Sequence, residues 1–65
     1  MEEKYFGIME FEDAYYHIVK RDNELIAGSA CNVGITPEIV IEWDDEIGEY
    51  GNLEKMNEVL TERSL

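Results

Sequence analysis

Residues able to do chemistry are sparse in this chain of 65: one Cys, one His, and 16 Asp and Glu against five Lys and Arg. A thiol nucleophile needs a base within hydrogen-bond reach and a third group to orient that base, and Cys31 with His17 is the one pair of the right types. His17 falls in an aromatic, β-branched segment and Cys31 in a run of small residues, where a partly buried structural His and a buried, inert thiol are the ordinary expectation. A structural zinc site wants about four Cys or His ligands, so this chain cannot build one by itself. Asp44, Asp45, Glu46 and Glu49 lie near Gly48 and carry the hard oxygen ligands that calcium takes. Their spacing does not match an EF-hand loop, and a solvated acidic loop is the reading preferred. Gly28 and Gly34 stand in neither phosphate-loop spacing. Paired carboxylates do acid–base work only in a cleft that drives their pKa values apart, which a chain of ~65 residues rarely encloses. The residues therefore point to no enzyme, no metal site and no cofactor.

Charge is the strongest clue. The formal net charge is −11 and the pI about 4.1. Direct binding to DNA, RNA or an anionic membrane face needs a basic patch. Lys4, Lys20, Arg21, Lys55 and Arg63 are scattered, and no Lys or Arg stands between Asp22 and Glu54. The expected partner is instead a protein with a basic surface, a nucleic-acid-binding protein being one kind. The candidate partner-binding residues are Glu38, Glu42, Asp44, Asp45, Glu46 and Glu49. If Glu38, Glu42 and Asp44 share the outer face of a strand, same-face positions fall ~6.8 Å apart. That is near the advance of about two phosphates along a DNA strand, so an inhibitor that mimics nucleic-acid charge is one form of this expectation. The alternative is a homo-oligomeric structural or accessory module whose acidity serves only solubility.

The elements that must position these residues are antiparallel strands, the first three consistent with a meander although their order in the sheet stays open, and a helix. Lys4 to Phe11 and Ala14 to Lys20 are rich in aromatic and β-branched residues and read as a strand pair about Glu12-Asp13. Alternation sets Tyr5, Gly7, Met9 and Phe11 against Phe6, Ile8 and Glu10 in the first, and Tyr15, His17 and Val19 against Tyr16 and Ile18 in the second. Both faces carry apolar residues, so which one faces the core stays open. The charged turn Lys20 to Glu24 leads into a third strand starting at Leu25-Ile26-Ala27. It then enters the small-residue run from Gly28 to Gly34, where a bulge or a close backbone approach is expected. Glu38 to Trp43, just after Pro37, reads as the fourth strand. Ile39, Ile41 and Trp43 take one face, and Glu38, Val40, Glu42 and Asp44 the other. The Ile-Val-Ile run speaks against a helix capped by Thr36. After an acidic loop from Asp44 to Gly51, Asn52 reads as the N-cap of a helix reaching about Arg63, with Leu53, Met56, Val59 and Leu60 as its apolar stripe. The fold class expected is α+β: a small antiparallel sheet of about four strands with a C-terminal helix packed on one face, in a single domain over residues 1–65.

A core this small often yields no more than ~3–5 kcal/mol, so outside support is expected. With one Cys an intramolecular disulfide is impossible, which leaves oligomerisation, as a homodimer, or a tight partner complex. The lone thiol fits a reducing compartment, and Met1-Glu2-Glu3-Lys4 has neither the basic nor the apolar region of a leader, so a cytoplasmic location is expected. Carboxylates crowded between Glu38 and Glu54 repel one another. Thermal melts at low and moderate sodium chloride should therefore show a midpoint that rises with salt, and a flat or falling midpoint would remove self-repulsion as a cost to this fold.

Overall fold

Runs of β-branched and aromatic residues become strands wherever turn residues interrupt them, and this chain has three such interruptions before its helix. A computed structural model describes residues 3–64; Met1, Glu2 and Leu65, which belong to the expected domain, lie outside the described residues. Strands β1 (Glu3–Glu10), β2 (Tyr15–Arg21), β3 (Glu24–Cys31) and β4 (Gly34–Glu42) precede helix α1 (Gly48–Ser64). They form one antiparallel sheet, as expected, in the order β1-β2-β3-β4, a strand order the sequence leaves open. Arg21 pairs with Glu24, which leaves Asp22 and Asn23 as a two-residue turn. Asp22 adopts φ 54°, a left-handed conformation that Asp tolerates better than most residues. Cys31 pairs with Gly34 around Asn32-Val33. Strand β3 thus continues through the small residues, and β4 starts before Pro37 rather than after it. Pro37 is accommodated because β4 is an edge strand.

Each edge strand contains an irregularity that changes which residues share a face. In β1, Tyr5 pairs with Val19 and Gly7 with Ile18, so Phe6 is the extra residue of a bulge. Gly7 sits at φ 112°, a conformation that favours glycine. The simple alternation expected for β1 therefore fails. Phe6, Met9 and Phe11 pack against the core, while Tyr5 and Ile8 are on the opposite face beside His17. On β4, Ile39 pairs with Ala27 but Pro37 with Gly28, so Glu38 is the bulged residue. The close approach expected in the small-residue run falls at Gly28: a Cβ there would collide with the Thr36 carbonyl oxygen.

The core lies between the sheet and α1. Tyr16, Ile18, Leu25 and Ala27 from the sheet meet Met56 and Leu60 from the helix, all buried. Ile39, Ile41, Trp43 and Leu53 pack around them. Full burial of each large aliphatic side chain contributes about 1.5–3 kcal/mol relative to leaving it exposed. One end of this layer is closed by Phe6 stacked on Trp43 at 6.1 Å between ring centroids. Lys4 Nζ lies 5.2 Å from the Phe6 centroid and Lys20 Nζ 5.2 Å from that of Trp43, both at cation–π distance. The other face of the sheet has no helix over it. Val19 and Ile26 are buried there, paired with each other and flanked in register by Tyr5 and Val40.

The bulge at Glu38 is possible only because residue 28 lacks a side chain. Gly28→Ala should lower unfolding stability by about 1–3 kcal/mol, read as a lower urea midpoint at unchanged slope. An unchanged midpoint would mean that the β4 backbone can withdraw from β3 at no cost.

Candidate acidic interface

The six carboxylates expected to form one surface are held in different ways. Glu38 and Glu42 are exposed on β4. The bulge takes Glu38 out of the strand's regular alternation, and its Oε2 accepts a hydrogen bond from Ser29 Oγ at 3.0 Å. Glu42 closes β4 opposite Glu24, two like charges face to face. Asp44 is beyond the end of the strand, so the expected row of Glu38, Glu42 and Asp44 on one strand face does not form.

Asp44 is instead a structural residue of the β4–α1 connection. Its Oδ1 accepts from the Glu46 amide at 2.9 Å. Its own backbone is gripped by Asn52, whose Oδ1 accepts from the Asp44 amide at 2.9 Å and whose Nδ2 donates to the Asp44 carbonyl at 2.8 Å. The same Nδ2 donates to the Gly48 carbonyl at 2.6 Å. Asn52 is therefore not the N-cap expected from its position before an apolar stripe. The helix begins a turn earlier, at Gly48, and Asn52 reaches backward from inside it, fully buried. The signal was present in the spacing: residues 52, 56 and 60 follow one another at i, i+4, i+8, so Asn52 shares the buried line of Met56 and Leu60.

Asp45 and Glu46 are exposed in the connection, and Glu49 stands in the first turn of α1, favourable to the helix dipole. Glu49 Oε2 pairs with Lys4 Nζ at 2.8 Å, on β1 at the opposite edge of the sheet from Glu38 and Glu42. The chain after β4 thus crosses the sheet on the helix side, and the acidic segment is divided between two regions of the surface. The second ion pair among the described residues joins Arg21 Nε to Glu3 Oε2 at 2.7 Å.

The other chemistry-bearing residues are not brought together. Cys31 Sγ lies 3.6 Å from Thr36 Oγ1, whereas His17 Nδ1 is 2.8 Å from Tyr5 Oη. Cys31 is exposed rather than buried as expected, because nothing among the described residues packs over the end of the β3–β4 hairpin. Its thiol is held below its ordinary pKa, chiefly by the Val33 backbone amide and then by the Thr36 hydroxyl. Among the described residues there is no group of three or more His, Cys, Asp or Glu side chains placed to hold a metal ion. No described helix is long and apolar enough to cross a membrane.

Asn52→Ala would leave the Asp44 N–H and C=O unpaired in a part-buried site. Stability should fall by about 2–4 kcal/mol in chemical denaturation, with faster hydrogen exchange at the Asp44 amide; a loss under about 0.5 kcal/mol would show that water replaces the carboxamide freely. Comparison with family models, curated proteins and solved structures finds no match to this chain.

Proposed function

We propose that this chain is a non-enzymatic acidic protein-binding module that docks on a basic protein surface. The observation behind the reading is that Glu42, Asp45 and Glu46 are exposed and make no ion pair among the described residues. A partner's Lys or Arg side chains can meet these carboxylates without breaking an internal bond, and a net charge of −11 steers such a partner inward over the Debye length. Nucleic-acid mimicry is the finer form of this proposal, resting on charge density rather than on a regular row of carboxylates. A cytoplasmic setting fits a lone cysteine whose thiol is exposed.

A second reading, a homo-oligomeric accessory module, is favoured by the large apolar side chains exposed on the uncovered face of the sheet. The two separate in one experiment. Immobilised protein is presented with an extract of its source cells, beside a variant carrying Glu38→Gln, Glu42→Gln, Asp45→Asn and Glu46→Gln. The expected outcome is a basic protein retained by the parent, released by moderate salt and lost by the variant; release by duplex DNA selects mimicry. Equal retention by both, or a chain that sediments only as a self-associated species and retains nothing, would sink the first reading.

A further inference from the structure

The uncovered sheet face has a definite chemical layout. Read across the strands, one row runs Glu3, Arg21, Glu24, Glu42 and the next Tyr5, Val19, Ile26, Val40. The third places Ile8 beside His17 and Gly28, and the last pairs Glu10 with Tyr15. An apolar centre therefore has carboxylates at both ends. Tyr15 is 62% exposed, Tyr5 55%, Ile8 51% and Val40 47%, while α1 packs on the opposite face. The aromatic part is already ordered. Tyr5 is hydrogen-bonded to His17, and the Tyr15 ring meets the His17 ring edge-on at 6.0 Å between centroids. Side chains held in this way lose little rotamer freedom when a partner arrives.

Two depressions meet at Tyr15 and His17. One, of about 430 Å³, is completed by Ile8 and Glu10; the other, of about 460 Å³, wraps the end of the sheet, with Ala14 and Tyr16 of the core side beside Asp13, Ser29 and Glu38 in its walls. Each joins an aromatic wall to a carboxylate. That combination suits a guanidinium, which stacks on aromatic rings and forks onto carboxylates, better than it suits an ammonium.

Charge and area decide among occupants. A second copy would set one acidic margin against another. The face measures about 19 by 24 Å from standard strand spacing and rise, roughly 450 Å². That is about half of what one partner contributes to a stable interface of standard size, so apolar contact alone does not offset the repulsion. Single-stranded nucleic acid stacks on aromatic sheet faces but needs a basic groove, and Arg21, the one Lys or Arg on this face among the described residues, is bound to Glu3. A partner with cations around an aliphatic centre satisfies both the centre and the margins.

We infer that this face is the docking surface, and that it takes a protein segment presenting arginines around an aliphatic centre, with guanidinium groups seated beside Tyr15. The inference rests on the reading of the chain as an acidic protein-binding module and moves its contact from the β4–α1 segment to the sheet. It is tested with the full chain and three short synthetic peptides that share an aliphatic centre flanked by Arg, by Lys or by Glu. Amide shifts in NMR titrations should centre on Tyr5, Ile8, Tyr15, His17 and Val40, with the Arg peptide tightest and the Glu peptide silent. Tyr15→Ala and Ile8→Ser should each weaken the Arg peptide about tenfold. Asp45→Asn and Glu46→Gln should stay within roughly twofold of the parent. All four sites are exposed, the Trp43 environment checks the fold, and Val40→Ser is a third probe of the face should either of the first two fail to fold. Shifts centred on residues 44–49, with Tyr15→Ala binding as the parent does, would overturn the inference and leave the acidic-module reading standing. Silence with both cationic peptides would overturn the two together, and a parent dimer dissociated by Tyr15→Lys would give the face to a second copy instead.

Discussion

The three hydrogen bonds of the Asn52 carboxamide fix where the helix can lie. They tie the residue just past β4 to the second turn of α1, so the chain has no slack with which to reach the other side of the sheet. Met56 and Leu60 are then carried, one and two turns on, over Ile18, Leu25 and Ala27. A buried Asn is costly unless its amide is satisfied. Here both ends are, and no buried side-chain nitrogen or oxygen among the described residues lacks a partner.

That placement sorts the charges as well as the apolar groups. Lys4 and Lys20 lie over the rings of Phe6 and Trp43 on the helix side, and Lys55 and Arg63 belong to the helix itself. Among the described residues Arg21 is the one Lys or Arg on the exposed face, within a row of three glutamates. The described cations thus gather mostly on the helix side of a sheet only four strands wide, where α1 also carries Glu49, Glu54, Glu58 and Glu62, a distribution that net charge does not reveal. The edges are treated alike despite this. Each outer strand carries a bulge, and β4 also has Pro37, devices that interrupt the regular row of free backbone groups an edge would otherwise present.

Much of this architecture is legible in the residues themselves. The aromatic and β-branched runs mark four strands, Asp22-Asn23 marks a turn, and Met56 and Leu60 mark the buried line of the helix. The failures have identifiable causes. A bulge at Phe6 reverses the face of every residue before it relative to every residue after it, and period-two alternation carries no sign of that one-residue shift. Two glycines at 48 and 51 read as loop: Gly48 opens α1 at φ 71°, a left-handed conformation, with its carbonyl held by Asn52 Nδ2, and Gly51 has the low helix propensity of any glycine. The acidic segment was visible as composition, but its division across the molecule was not. That depends on the path of residues 43–47 over the sheet and on the Lys4–Glu49 pair, which joins positions 45 apart.

The strictly sequential strand order bears on how quickly the molecule can form. Every strand pairing joins neighbours in the chain through a two-residue turn or the four residues 11–14, so each hairpin closes a short loop at small entropic cost. Closure between distant parts is left to a single event, the landing of Trp43 on Phe6 and of α1 on the finished sheet. Until it happens the sheet has two wet apolar faces; afterwards it has one. The transition state for folding is accordingly expected to hold the hairpins largely formed and the helix undocked, with the interactions of Asn52 acting mainly on the rate of unfolding.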